Sequence, residues 1–284
     1  ALSFIRKNAD HPFFLYLPFI EPHVAMHPPK DVVESYPEEW DNRAYRGQCG
    51  YLPHPRPRAG YAAMITDLDR HVGAVLATLE ELGLTKDTLV VFTSDNGTTH
   101  GSNNDSVFGI GGVDAAFFNS TKNLRGFKGS VYEGGLRVPM IARWPGRITP
   151  GTVTNQPTYF PDQFATLSEA IGVETPSGLD GISILPTLLG EGTQATRNPM
   201  VWVYPEYGGQ GAVRFDEWKL VRQKLRRKNQ KPGPWELYNI DADIGETTNV
   251  AAKHPDLVKR GIEILREQMA DNPLFPLTVP GVND

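Results

Sequence analysis

The sequence predicts an α/β protein with a largely parallel sheet flanked by helices, followed by a small α+β subdomain of antiparallel strands and a helix. Continuous apolar or β-branched runs of strand length occupy 12–19 and 89–93, a further strand is predicted at 138–144, and a long helical repeat precedes the run at 89–93. Strands and helices that alternate with short connections are typical of a parallel layer. From about Met200 the runs are short and separated by turn residues, which indicates hairpins.

Each further element has its own signal. Apolar residues recur at helical spacing over 61–82 and stop at Gly83, which predicts an amphipathic helix of about six turns. The proline-rich, charged stretch 28–58 predicts a long surface loop. Helices are also predicted at 162–172, 182–190 and 254–272, and strands at 200–206, 212–223 and 235–240. We place the catalytic α/β domain at 1–198 and the α+β subdomain at 199–284.

Composition excludes some classes of function. The 284 residues carry a net charge of −5, whereas a general nucleic-acid binder would be basic. No apolar run is long enough to predict a membrane span. The single cysteine, Cys49, cannot form an internal disulfide, and its neighbours provide no base for a nucleophile. The basic run 224–231 predicts a solvated hairpin tip or, alternatively, a patch for an anionic polymer. The first residues resemble the end of a helix that leads into a strand, so any targeting segment is expected upstream.

Polar residues follow two of the predicted strands directly. Asp95 and Asn96 come after the run 89–93, and Glu21 and His23 come after the run 12–19. Ligands of open α/β sheets bind beyond the carboxyl ends of the strands, so we expect these two loops to converge. A carboxylate beside an amide oxygen suits Ca²⁺ or Mg²⁺, although two ligands are too few for Ca²⁺. The alternative is a plain turn, for which Asp, Asn and Gly are the usual residues.

A third region is rich in glycine. Lys128 lies between two glycines, and the sequence Glu133-Gly134-Gly135 follows it. Glycines allow the backbone to approach a ligand closely while the ammonium faces an anion. The alternative is an exposed lysine in a loop.

Together these segments resemble the sulfatase family, the formylglycine-dependent sulfuric ester hydrolases of the alkaline phosphatase superfamily. The resemblance covers essentially the whole chain. It rests on "PFFLYLPFIEPH", "YAAMITDLDRHVGAVLATLEELGLTKDTLVVFTSDNG", "LRGFKGSVYEGGLRVPMIARWPGRI" and "WELYNIDADIGETTNV". The stretches "SDNGTTH" and "GGVDAAFFNS" are similar to those of bacterial arylsulfatase-like enzymes.

The resemblance implies roles for individual residues. Asp95 and Asn96 match the family's second pair of Ca²⁺ ligands, with Mg²⁺ the less expected ion. Lys128 matches the lysine that contacts the sulfate. His23 matches the histidine that contacts the sulfate and the bridging oxygen and is expected to protonate the leaving group. His100 has no counterpart across the family, so it either lines the substrate pocket or is a loop residue.

One part of the family pattern is missing from this chain. The nucleophile is a formylglycine made from a C-x-P-x-R or S-x-P-x-R motif, and neither motif occurs in residues 1–284. The nucleophile and the first acidic pair are therefore expected upstream, and the chain alone is predicted to be inactive. The alternatives are a phosphoester or phosphonate hydrolase of the same superfamily and a non-catalytic module that binds sulfated glycans.

The resemblance also implies partners and a location. The expected substrate is a sulfate ester, possible classes being aryl, carbohydrate and glycosaminoglycan sulfates. No nucleic acid partner and no membrane span are expected, and the sequence does not predict the oligomeric state. The family's bacterial members imply a periplasmic or secreted protein.

Overall fold

The computed structural model describes residues 1–99, 108–226, 230–270 and 272–284. These residues form two compact units. The first unit comprises Ala1–Phe92, Thr99–Ser120 and Ile141–Arg147, and the second comprises Thr93–Thr98, Thr121–Met140 and Ile148–Asp284. The predicted boundary between residues 198 and 199 stays a prediction.

Among the described elements, six helices and two strands precede Met200, and four consecutive strands and one helix follow. The helices are α1 (Leu2–Lys7), α2 (Lys30–Glu34), α3 (Pro57–Glu81), α4 (Glu133–Leu136), α5 (Asp162–Ala170), α6 (Leu185–Leu189) and α7 (Pro255–Gln268), with short 3-10 turns at Glu38–Trp40, Ile110–Gly112 and Ala251–Lys253. The strands are β1 (Val90–Thr93), β2 (Met140–Arg143), β3 (Met200–Tyr204), β4 (Gln210–Phe215), β5 (Trp218–Arg222) and β6 (Trp235–Asn239). None of the helices in these ranges is long and apolar enough to cross a membrane.

The helix predicted at 61–82 is confirmed as α3, and it begins earlier than predicted. Pro57 starts it, because the first turn of a helix does not need the N–H that proline lacks. The carboxylate of Asp41 accepts hydrogen bonds from the backbone N–H groups of Arg58 and Ala59, at 2.7 and 3.1 Å. This cap satisfies two of the free donors at the helix start. Gly83 follows the helix with a φ of +71°.

The segment 28–58 is more ordered than the predicted surface loop. It contains α2, whose buried Val32 and Val33 pack against Ala59 and Ala63 of α3. The guanidinium of Arg56 donates to backbone carbonyls of this segment, including that of Tyr36 at 2.8 Å. Buried apolar contacts and these hydrogen bonds fix the segment on the helix, which composition alone does not predict.

The prediction of a strand at 12–19 is wrong, because the structure has no strand there, although burial alternates from residue to residue as it does in a strand. Burial alternates along it: the side chains of Phe14, Tyr16, Pro18 and Ile20 are exposed, and those of Phe13, Leu15, Leu17 and Phe19 are half-buried. None of the backbone N–H groups of 12–19 donates to a backbone carbonyl within the described ranges. A strand is defined by its hydrogen-bonded neighbour, so an extended segment without that neighbour is not assigned as one.

The runs at 89–93 and 138–144 do form strands, β1 and β2, which pair with each other. Outside the C-terminal sheet, the described residues contain this two-stranded pair and no larger sheet. The largely parallel sheet therefore stays a prediction.

The second unit contains the predicted antiparallel strands and C-terminal helix. Its sheet has the order β3-β4-β5-β6, and every neighbouring pair is antiparallel. The predicted strand at 212–223 is two strands, because Asp216 adopts a φ of +49° and turns the chain. The core lies between the sheet and α7 and includes Val213, Leu220 and Leu265. Of the basic run 224–231, residues 227–229 lie outside the described residues.

Candidate functional site

The segment after β1 presents two oxygen-bearing side chains. Asp95 is exposed and Asn96 is half-buried. The Ser94 hydroxyl donates to the backbone carbonyl of Asn96 at 3.0 Å and stabilises the bend. Within the described ranges, neither the Asp95 carboxylate nor the Asn96 side-chain amide has a hydrogen bond or an ion pair. Both oxygens are therefore available to a ligand.

Lys128 lies in a tight loop next to this segment. Its flanking glycines, Gly126 and Gly129, have φ values of +82° and +85°, which favour glycine. The backbone N–H of Lys128 donates to the carbonyl of Thr98 at 2.7 Å. The side chain is half-buried, and its ammonium has no ion pair with any residue that the structure describes. The fold thus joins the Lys128 loop to the segment that carries Asp95 and Asn96.

A second link between the two segments requires glycine. The backbone N–H of Gly97 donates to the carbonyl of Gly135 in α4 at 2.9 Å. A Cβ atom at Gly97 would lie 2.0 Å from the carbonyl oxygen of Gly134, a distance that no side chain tolerates. The "DNG" and "EGG" motifs are therefore in direct backbone contact.

Beneath α4 lies a buried ion cluster that the sequence analysis did not identify. The ammonium of Lys219 on β5 lies 2.9 Å from the Glu133 carboxylate and 3.0 Å from that of Glu246. Glu246 also accepts the backbone N–H of Glu133 at 2.6 Å, and Arg137 donates to Glu133 at 2.8 Å. The cluster fixes the first turn of α4 on the antiparallel sheet. No local signal marked it, because β5 carries two basic residues, Lys219 and Arg222, and its sequence does not show which of them is buried.

The two acids of this cluster titrate differently. Burial by itself would raise the pKa of Glu133, but Lys219 and Arg137 outweigh that effect and hold the pKa below its ordinary value. Burial raises the pKa of Glu246, because Lys219 and the N–H of Glu133 offset only part of the desolvation. Glu133 is therefore the acid that stays ionised to lower pH.

Arg125 lies three residues before Lys128, and its guanidinium contacts the rings of Tyr132 and Tyr238. Its guanidinium lies 3.8 Å from the centroid of the Tyr132 ring and donates to the Tyr238 hydroxyl at 2.6 Å. Both tyrosine hydroxyls donate to the Glu236 carboxylate, at 2.7 and 2.5 Å. Burial and the neighbouring Glu236 raise the pKa of both tyrosines well above its ordinary value. The tyrosines are therefore neutral donors, not nucleophiles, at physiological pH.

His23 belongs to the first unit. Its Nδ1 lies 2.6 Å from the carbonyl oxygen of Val24. A carbonyl only accepts, so Nδ1 is the donor and the transferable proton of this ring is the one on Nε2. The exposed ring makes an edge contact with Tyr51, at 6.0 Å between centroids. His100, the remaining predicted site residue, lies outside the described residues.

The donor set after β1 fits a hard cation in part. Carboxylate and amide oxygens are the ligands that Ca²⁺ takes, and those of Asp95 and Asn96 are adjacent and unpaired among the described residues. The hydroxyl oxygen of Thr98 is buried without a hydrogen-bond partner in the same segment. These three groups alone do not supply the six to eight oxygens of a Ca²⁺ shell.

A cavity of about 780 Å³ in the second unit lies elsewhere. Its walls include Tyr159 from the segment before α5, Tyr204 of β3 and Phe275 of the C-terminal segment. It contains none of the residues that the sequence analysis selected. Cavity size therefore does not select any of the predicted site residues.

Two family models match the chain. Residues 1–173 match the model described as Sulfatase, and residues 127–271 match the one described as N-sulphoglucosamine sulphohydrolase, C-terminal. A relative described as Sulfatase, from Formosa agariphila, is 34% identical over 269 residues, which are 88% of this chain and 44% of that protein. Arylsulfatase A from Homo sapiens is 34% identical over 289 residues, which are 93% of this chain and 50% of that protein.

A solved structure is similar over nearly the whole chain. The crystal structure of Ps i-CgsB in complex with k-i-k-neocarrahexaose aligns with a TM-score of 0.71 and 26% identity, over 94% of this chain and 52% of that chain. The chain thus spans about half the length, or less, of the proteins that it matches.

Proposed function

The chain belongs to the sulfatase family, and on this premise we propose that it is part of a sulfuric ester hydrolase, which cleaves a sulfate monoester to an alcohol and sulfate. The observation that carries the proposal is the hydrogen bond from the Lys128 N–H to the Thr98 carbonyl. This bond joins the loop that carries an unpaired cation to the segment that carries two unpaired oxygen ligands. Such a pairing suits an anionic substrate that is bound beside a metal ion.

Lys128 would bind the sulfate group. Its ammonium is a compact charge with three donors, and the described residues provide no carboxylate to neutralise it. The half-buried position strengthens its attraction for a sulfate oxygen relative to an exposed lysine. Its effect is largest where negative charge accumulates during S–O cleavage, so it stabilises the transition state.

His23 would act as the acid for the leaving alcohol. The Val24 carbonyl holds Nδ1 as a donor, so the imidazolium form offers the Nε2 proton to the bridging oxygen. Fixing one ring nitrogen also fixes the direction of the other, which general acid catalysis requires.

Asp95 and Asn96 would hold Ca²⁺ together with ligands from outside this chain. When bound, the ion neutralises sulfate oxygens during the reaction. The nucleophile, a formylglycine, would likewise come from upstream sequence. We further propose a sulfated carbohydrate as the substrate and a periplasmic or secreted location. The carbohydrate proposal is supported by the neocarrahexaose in the Ps i-CgsB complex.

The test uses the full gene product, produced together with a formylglycine-generating enzyme and assayed on an aryl sulfate. Lys128→Ala should lower kcat/KM by about 10²-fold or more, since it removes a charge that acts on the transition state. Lys122→Ala is the matched control, because Lys122 is an exposed lysine in the same unit. Equal rates for the two variants would refute the role of Lys128. Faster turnover of the matching aryl phosphate would favour the phosphoester alternative.

A further inference from the structure

Three side chains of the first unit that the proposed function does not use converge at one point. The ligand atoms of Glu21, Asp67 and His71 all lie within 4.8 Å of one another. Asp67 and His71 are four residues apart on α3, so they share one face of the helix. Glu21 follows the extended segment 12–20. One carboxylate from a loop and a carboxylate–imidazole pair from a helix thus meet at one point.

Asp67 is the least accessible member, with 9% of its surface exposed. Its carboxylate accepts no hydrogen bond from the residues that the structure describes. Its one ion pair among the described residues is with Arg70, whose guanidinium lies 3.3 Å away on a side chain that is more than half exposed. A carboxylate this deeply buried is costly without donors or a cation. The position therefore calls for a further positive charge on the side that faces Glu21 and His71.

His71 is held in orientation from the side. Its ring lies parallel to that of Phe19, with 2° between the planes and 6.0 Å between centroids. Neither ring nitrogen hydrogen-bonds to a residue in the described ranges. An oriented imidazole with a free nitrogen is a ready metal ligand.

We propose that Glu21, Asp67 and His71 form a site for a divalent transition metal of the Zn²⁺ class. Two carboxylates and one imidazole suit Zn²⁺, whereas Ca²⁺ takes oxygen ligands. Ligands about 2.0–2.2 Å from the ion lie at most about 4.4 Å apart, so a small rotation of the exposed His71 completes the geometry. The fourth position is open to water. The ion anchors the segment that carries His23 to α3, and it is distinct from the ion proposed at Asp95 and Asn96.

Calorimetric titration of the metal-free chain with Zn²⁺ tests this site. The reference protein and every variant carry Cys49→Ser, so that the Cys49 thiol cannot bind Zn²⁺. We expect one site with a Kd of about 10 µM or tighter, weakened at least about tenfold by His71→Ala and by Asp67→Asn. His27→Ala is the control, since His27 is an exposed histidine of the same unit outside the cluster. Absence of binding, or equal affinity in all three variants, would overturn the proposal.

A variant that increases affinity guards against misfolding as an explanation. Arg70→Gln removes the cation that competes for Asp67, so it should tighten Zn²⁺ binding by about threefold or more. The half-exposed Arg70 makes no other ion pair among the described residues, so folding should be unaffected, as circular dichroism would verify. Unchanged or weaker Zn²⁺ binding in this variant would show that Asp67 is not a ligand.

Discussion

The ammonium of Lys219 lies 2.9 Å from the carboxylate of Glu133, and no part of the lysine side chain is exposed. Lys219 is on β5 of the antiparallel sheet, whereas Glu133 opens α4. The carbonyl of Gly135 in α4 accepts the N–H of Gly97, so the ion pair, by fixing α4, also helps to fix the segment of Asp95 and Asn96. The C-terminal sheet thus has a structural role in the candidate site although it contributes no residue to it.

Lys219→Met should destabilise the second unit strongly. It leaves Glu133 and Glu246 buried together without their shared cation, and breaking a buried pair costs about 3–5 kcal/mol. Arg260→Ala, which breaks a half-exposed pair with Asp216, should cost below about 1 kcal/mol. Urea unfolding followed by circular dichroism gives both free energies. Similar losses in the two variants would contradict the role given to the buried cluster.

The contribution of Glu133 should depend on pH. Its pKa is lower in the folded chain than its ordinary value of 4.5, so the ionised form stabilises folding fully above that value. This stability is lost as the pH falls through the folded pKa. Glu133→Gln should therefore be most destabilising near pH 7, and its difference from the wild type should shrink below pH 4.5.

Glu246→Gln is the matched comparison for Glu133→Gln. Burial raises the pKa of Glu246, so its ionised form contributes less to stability at neutral pH. This variant should lose less free energy of unfolding than Glu133→Gln at pH 7. Denaturant titrations at several pH values measure both, and the reverse order would show that the assignment of the two acids is wrong.

Gly97→Ala should disrupt the contact between the "DNG" and "EGG" motifs. The new methyl group would meet the Gly134 carbonyl at 2.0 Å, and overpacking of this kind costs about 1–3 kcal/mol. Gly73→Ala provides the contrast, since a Cβ there meets nothing within 4 Å and the position is inside α3. The free energy of unfolding of the Gly73→Ala variant should rise by about 0.5–1 kcal/mol. Thermal unfolding of both variants distinguishes the two effects, and stabilisation of Gly97→Ala would contradict the close approach of the two backbones.

Sequence patterns predicted the elements whose signals are local. The repeat of α3 and the hairpins after Met200 depend on residues within one element, and both are confirmed. The run 12–19 failed as a strand because pairing depends on a neighbour that the described residues do not include. The Lys219 cluster joins residues 86 and 27 positions apart, so no local pattern could indicate it.

The chain alone should bind Ca²⁺ weakly. Asp95 and Asn96 provide two of the six to eight oxygens that the ion takes, so we expect a Kd of about 10⁻⁴–10⁻³ M. Asp95→Asn should weaken the binding further, whereas Asp10→Asn, at an exposed aspartate, should not. Isothermal titration calorimetry measures each Kd. Sub-micromolar affinity that depends on Asp95 would show that this chain supplies a complete shell.

The 284-residue chain by itself should not hydrolyse sulfate esters. In the roles proposed for them, Lys128 binds the sulfate and His23 protonates the leaving oxygen, but neither group forms the covalent bond to sulfur. Cys49 does not replace the missing nucleophile, because Gly50, Tyr51 and Leu52 follow it and neither C-x-P-x-R nor S-x-P-x-R occurs in the chain. Binding and positioning without a nucleophile leave most of the barrier to S–O cleavage in place.

An aryl sulfate assay of the purified chain tests the predicted lack of activity. The enzyme concentration is high enough to detect a single turnover. The expected rate equals that of buffer, and the full gene product with formylglycine serves as the positive control. Turnover by the chain alone that Lys128→Ala abolishes would require a nucleophile among residues 1–284. In that event Cys49→Ser is the first variant to assay, because Cys49 is the only cysteine of the chain. If instead neither Lys128→Ala nor Cys49→Ser lowers the observed rate, a contaminating hydrolase is the source of the activity.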